Sequence, residues 1–154
     1  MRAGISVSSG TMASIEVRRV INAPVEAVWE ELERIEDHSE WMTDAVAIRF
    51  DGEQRRGTGT RISVDTRVGP LTTVDHMEFV RWDPPVAMGV RHQGLVAGTG
   101  EFTLDPNDDG TTTITWREDL EFPWYFGSSL GAWVARPILR RIWQGNLDRL
   151  ASRV

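Results

Sequence analysis

The chain has 154 residues, enough for one domain with a buried core, and none of them is cysteine. Disulfide frameworks, thiol catalysis and zinc–thiolate sites are therefore excluded, and the lack of cysteine fits a reducing cytoplasm as the expected localisation. A formal charge of -6, with acids and bases interleaved along the chain, disfavours a nucleic-acid partner, since such binding depends on neutralising phosphates.

No apolar run approaches the ~20 residues that span a bilayer, so stable membrane insertion is not expected. The first stretch, "MRAGISVSSGTMAS", has no apolar centre of the signal-peptide kind. Residues 1–13 read as a disordered leader, with Met12 as an alternative start, and residues 14–154 read as a single domain. No repeat, low-complexity tract or linker divides it. Seven tryptophans are many for this length, and large rings serve cores and apolar pockets equally well.

"IEVRRVI" (15–21) alternates as a strand, with Ile15, Val17, Arg19 and Ile21 on one face. Pro24 fits a first helical turn, and Val25, Val28, Trp29 and Leu32 follow at helical spacing. Asp37, with Glu40 three residues on, has the spacing of a capping box and predicts a second short helix at "HSEW".

From about residue 45 turn signals recur: "DGEQRRGTG", "VGPL", "WDPP", "GLVAGTG" and "PNDDGT". The segments between them predict six strands in an antiparallel meander. If Gly69-Pro70 is a two-residue turn, Val68 pairs with Leu71. Ile62, Val64, Thr66 and Val68 then share one face with Leu71, Thr73, Asp75, Met77 and Phe79. Pairing Phe79 with Met88 adds Met88, Val90 and His92 to that face. Gly100, Phe102 and Leu104 join it from the next strand, and Ile114, Trp116, Glu118, Leu120 and Phe122 from the last. The face is apolar apart from four polar residues, Arg19, Asp75, His92 and Glu118. A bulge in any hairpin would remove its member from the set.

Residues 127–152 read as helix with two apolar stripes. Leu130, Trp133, Val134 and Ile138 form one; Leu139, Ile142, Trp143, Asn146, Leu147 and Leu150 form the other. Pro137 lies between them and predicts either a kink or the start of a new helix. Gly145 costs roughly 1 kcal/mol against alanine and suggests a close approach by a strand or a ligand.

A strand ending in "INAPVEAVWEEL", followed by "HSEW" and by "GTGT" opening a strand, resembles the SRPBCC, or START-like, helix-grip superfamily. The later "WDPP", "GTGEFTL" and "DDGTTTITW" match the same pattern in order, and the resemblance covers about residues 14–152. The branch it most resembles is the small bacterial proteins of the polyketide cyclase/dehydrase or lipid-transport type. The resemblance implies an α+β helix-grip fold. Its seven-stranded antiparallel sheet would wrap around a long C-terminal helix, and the two short helices after the first strand would plug one end. It also implies an internal cavity, without naming the ligand.

Candidate lining residues of that cavity are Val64, Thr66, Met77, Phe79, Met88, Val90, Phe102, Trp116, Leu120, Leu130 and Val134. Asp75 and His92 would be cross-strand neighbours, either an acid/base pair or a self-satisfying polar pair. Arg19 and Glu118 would meet where the first and last strands pair, as a buried ion pair or as an anchor for a polar head group. His38, His76 and His92 lack metal-ligand spacing, with His76 on the outer face, so neither a metal nor a cofactor is expected. "PWYFGSSLGAW" (123–133) reads either as a mobile lip at the cavity mouth or as an ordinary aromatic connection. Arg136, Arg140 and Arg141, near Trp133 and Trp143, form a solvated basic face or one that touches anionic lipid.

The reading favoured over an enzyme is binding or transport of one small, largely hydrophobic molecule, with Arg19, Asp75, His92 and Glu118 orienting it. One alternative is a polyketide aromatase/cyclase or dehydratase in which His92 and Asp75 move protons. Another is a protein-interaction module of the co-chaperone or toxin type. Homodimerisation is left open.

Overall fold

The structure is a computed structural model that describes residues 11–122 and 128–154, with side chains described from 12 to 122 and from 133 onward. Strand β1 (Thr11–Ile21) leads into α1 (Val25–Leu32), a single 3-10 turn (Ile35–Asp37) and α2 (His38–Trp41). Six strands follow: β2 (Ala45–Phe50), β3 (Arg61–Val68), β4 (Leu71–Asp83), β5 (Ala87–His92), β6 (Ala97–Pro106) and β7 (Thr112–Phe122). Helix α3 (Ser128–Ala151) closes the chain. All seven strands form one antiparallel sheet in the order β1-β7-β6-β5-β4-β3-β2, the helix-grip architecture expected from the sequence.

Alternation decides which side of the sheet faces α3. Along β7, Thr112, Ile114, Trp116, Glu118 and Leu120 are buried, and the residues between them are not. Val68 does pair with Leu71 across the Gly69-Pro70 turn, which puts Val64 opposite Asp75 and Ile62 opposite Met77. Gly69 takes φ 58, the left-handed conformation that such a turn requires.

Three local expectations need correction. The first strand begins at Thr11, so residues 11–13 belong to the sheet and not to a leader; Ala13 pairs with Leu120 and is buried. Asp37 precedes α2 but makes no side-chain cap; its carboxylate lies 3.5 Å from Arg34. Phe79 pairs with Val90 rather than Met88, because Asp83 and Ala87 close the turn and a bulge at Val80 shifts the register again.

The last segment is one helix of 24 residues with Pro137 inside it. Pro137 is exposed, so the carbonyl one turn earlier that loses its amide partner can bond water. The second apolar stripe carries the packing: Trp143, Asn146, Leu147 and Leu150 are buried. Of the first stripe, Trp133 is 74% exposed, and Val134 and Ile138 are about half exposed. Asn146 ties the helix to the α2–β2 corner, accepting from the Thr43 backbone N–H at 3.1 Å and donating to Asp44 Oδ1 at 2.7 Å. The Trp143 indole donates to Asp44 Oδ2 at 3.1 Å, and Arg149 Nε donates to the Trp41 carbonyl at 2.9 Å. These bonds anchor the C-terminal half of α3 where α1 and α2 close the grip.

Candidate functional site: a cavity with one polar corner

Between the concave face of the sheet and α3 lies a cavity of about 330 Å³. It falls at the small end of the roughly 300–1,000 Å³ common to small-molecule sites. The sheet contributes Val64, Thr66, Asp75, Met77, Phe79, Met88, Val90, His92, Phe102, Trp116, Glu118 and Leu120, all expected from the inward face. Helix α3 contributes Ala135, Ile138, Leu139 and Trp143, and the α2–β2 corner contributes His38, Met42 and Ile48.

Much of the wall is aromatic. Trp143 stacks on Trp116 with ring centres 5.1 Å apart, Trp116 meets Phe102 at 5.0 Å, and Phe102 meets Trp41 at 6.1 Å. Such pairs add rigidity to the area they bury. His38 completes this chain at 5.0 Å from Trp41. Its Nε2–H donates to the Leu32 carbonyl at 2.7 Å, and full burial pushes the imidazole down to about 4, so it is neutral at pH 7.

The polar corner joins residues from three strands. His92 Nδ1–H donates to Asp75 Oδ2 and its Nε2–H to Glu118 Oε2, each at 2.9 Å. The Trp116 indole donates to Glu118 Oε1 at 2.8 Å. Burial works against charge on His92, but the two carboxylates outweigh it and hold the imidazolium up to about 10.

Glycines in β6 make this constellation possible. Glu118 on β7 must reach His92 on β5 across the intervening strand. There Gly100 stands opposite both Glu118 and Val90, and Gly98 opposite both Leu120 and His92. A Cβ at Gly100 would come within 2.3 Å of the Glu118 carboxylate, and one at Gly98 within 2.0 Å of the Asp119 carbonyl oxygen. An inward-facing glycine at position 100, between an inward histidine and an inward glutamate, is the sequence signal for this contact.

Asp75 and His92 do meet, but diagonally: His92 pairs with Met77 in the ladder. Asp75 instead faces the Gly94 region, where a Cβ would lie 3.3 Å from its Oδ1. That oxygen is buried without a hydrogen-bond partner among the described residues.

The expected Arg19–Glu118 pair does not form. β1 and β7 are neighbours, but Arg19 lies opposite Ile114 while Glu118 lies opposite Ile15. Four residues of strand, about 13 Å, separate the two positions. Arg19 turns to Asp148 of α3 at 3.2 Å, half exposed and outside the cavity wall. Val134 also leaves the set: it is half exposed and is not among the lining residues. The side chain of Leu130, and residues 123–132 of the expected lip, lie outside the described residues.

His38, Met42, Ala135, Leu139 and Trp143 had not been assigned to the cavity. The path of α3 and the placing of α2 bring them there. Trp143 is buried against Trp116, so it does not join Trp133 and the arginines at the surface. His76 is on the outer face, its Nδ1 2.9 Å from Ser63 Oγ. No helix among the described residues is long and apolar enough to cross a membrane.

The seven-stranded sheet and the helix it grips define a helix-grip protein. The family model described as polyketide cyclase / dehydrase and lipid transport matches residues 12–154, and the chain belongs to that family. No curated protein matches the chain. Among solved structures, the chain is similar to a Streptomyces aromatase/cyclase at 17% identity, covering 93% of each chain with a TM-score of 0.74. A conserved protein from Geobacillus kaustophilus is 14% identical, with 92% of this chain and 94% of that one covered and a TM-score of 0.75. Norcoclaurine synthase from Thalictrum flavum, solved with dopamine and hydroxybenzaldehyde, is 13% identical, with 99% and 93% covered and a TM-score of 0.71. At such identities the likeness establishes the shared fold.

Proposed function

We propose that this protein binds one small, largely hydrophobic molecule between its sheet and α3. The observation that carries the reading is the combination of an apolar, ring-lined cavity with a single polar corner. Burial against Met77, Phe79, Met88, Phe102 and Trp116 supplies the driving force. Asp75, His92 and Glu118 orient the polar end, and Val64, Thr66, Val90 and Leu120 fill in the wall. A cavity of about 330 Å³ suits a compact ring system or a short chain better than a whole two-chain lipid. Relatives by fold include a protein solved with two small aromatic molecules, which agrees with this size class.

Native mass spectrometry of freshly purified protein, followed by denaturing extraction, tests the proposal. The expected result is a co-purifying small molecule, or saturable uptake of N-phenylnaphthylamine that Ala135→Trp weakens by roughly tenfold or more. No retained mass and no uptake of that probe would refute it.

A second reading is aromatase/cyclase or dehydratase chemistry, supported by the family description and by ionisable groups in an otherwise largely apolar cavity. Both imidazole nitrogens are engaged and the ring holds its proton well above pH 7, so a carboxylate, not His92, would serve as base. Asp75→Ala and His92→Ala separate the two readings: turnover would vanish in an enzyme, while a binding protein would only lose affinity.

A further inference from the structure

The proton count of the polar corner constrains the ligand itself. Each of the two bridges, His92 to Asp75 and His92 to Glu118, needs one hydrogen between its heavy atoms. Either the imidazole is protonated between two carboxylates, or a neutral imidazole accepts from one carboxylic acid and donates to the other carboxylate. The sum is one net negative charge in both cases. Either way, every polar hydrogen of the corner is spent, one in each His92 bridge and one from the Trp116 indole, and what remains unfilled is acceptor capacity.

No cation among the described residues of the wall offsets that charge. The chain contains no lysine, and no arginine is among the described residues lining the cavity. A further carboxylate, Asp44, is part of the lining, whereas the Glu101 carboxylate is paired with Arg81 on the outer face. His38 is the other histidine in the wall, and its Nε2–H is committed to a backbone carbonyl.

We infer that the polar end of the ligand is a hydrogen-bond donor, neutral or cationic, as in a phenol, an alcohol or an amine. The same corner excludes carboxylates and phosphates. A buried anion at this corner would lose its hydration, find the corner's N–H groups already engaged and face a net negative charge at short range. Discrimination would come mainly from that repulsion. This inference rests on the cavity-binding reading.

Matched probes of one size test it: naphthol, methoxynaphthalene and naphthoate, titrated at neutral pH by calorimetry with the Trp116 indole N–H followed by NMR. Naphthol is expected to bind roughly tenfold or more tightly than naphthoate and to shift the Trp116 signal, with methoxynaphthalene between them. Glu118→Gln or, should that variant fail to fold, Asp75→Asn removes the net charge and should narrow the gap to a few-fold. Naphthoate binding as tightly as naphthol in the wild-type protein would overturn the inference and leave the cavity reading standing. If none of the three binds and N-phenylnaphthylamine is not taken up either, the cavity reading falls and this inference with it.

Discussion

Gly100 stands directly across the β6–β7 ladder from Glu118, and a Cβ built on it would lie 2.3 Å from the Glu118 Oε1 oxygen. The carboxylate occupies the space of the missing side chain, and through that space it reaches His92 two strands away. Gly100→Ala should therefore push Glu118 off both His92 and Trp116. A drop in the His92 titration midpoint, followed by NMR, is the expected readout, with a stability loss of about 1–3 kcal/mol. A His92 midpoint unchanged in the variant would mean that the carboxylate is not held there.

The two cavity histidines should give stability opposite slopes with pH. His92 is raised from 6.5 to about 10, so the folded state binds the extra proton and stability declines as pH rises through that window. His38 is lowered from 6.5 to about 4, so the unfolded state binds the extra proton and stability declines as pH falls through that one. Chemical denaturation across pH should show a flatter alkaline limb in His92→Gln and a flatter acid limb in His38→Gln. Unchanged limbs would contradict both assignments.

Asn146 is fully buried, and its side chain serves the Thr43 amide and the Asp44 carboxylate. Asn146→Ala leaves those groups without their partner and should cost about 1–3 kcal/mol in urea unfolding. A near-neutral result would show that water replaces the amide at the corner.

One turn of the same helix offers the reverse effect. At Gly145 a Cβ would meet the Arg149 guanidinium at 3.5 Å, an ordinary contact, with no strand backbone near. Gly145→Ala should raise stability by up to ~1 kcal/mol, visible as a higher melting temperature. A loss instead would reveal a close approach at this glycine.

Ala135 lines the cavity from the part of α3 that is only partly buried. Ala135→Trp should fill the space with little cost in folding and lower affinity for a neutral aromatic probe by roughly tenfold or more. Retained affinity would move the binding site elsewhere.

The inward face of the sheet was legible because its causes are local. A tight turn at Gly69-Pro70 fixed the β3–β4 register, and strict alternation carried it along Ile62, Val64, Met77 and Phe79. The β4–β5 register was misread by two residues, through the Pro84–Val86 turn and the Val80 bulge. An even shift preserves parity, so Asp75 and His92 stayed on one face and within reach of each other.

What the sequence alone determined is thus the strand order of chemistry: which residues point inward, and that an acid, a histidine and a second acid are among them. The course of α3 belonged to tertiary structure. It left Trp133 and Val134 in solvent, drew Arg19 to Asp148 and brought Trp143 onto Trp116. A helix with apolar residues on two stripes can bury either, and the choice was made by distant partners at Asp44 and Trp41, which local periodicity does not encode. The same holds for the partner of Glu118. Two strands away, His92 could be reached only because β6 presents glycine between them, a condition set by three aligned strands at once.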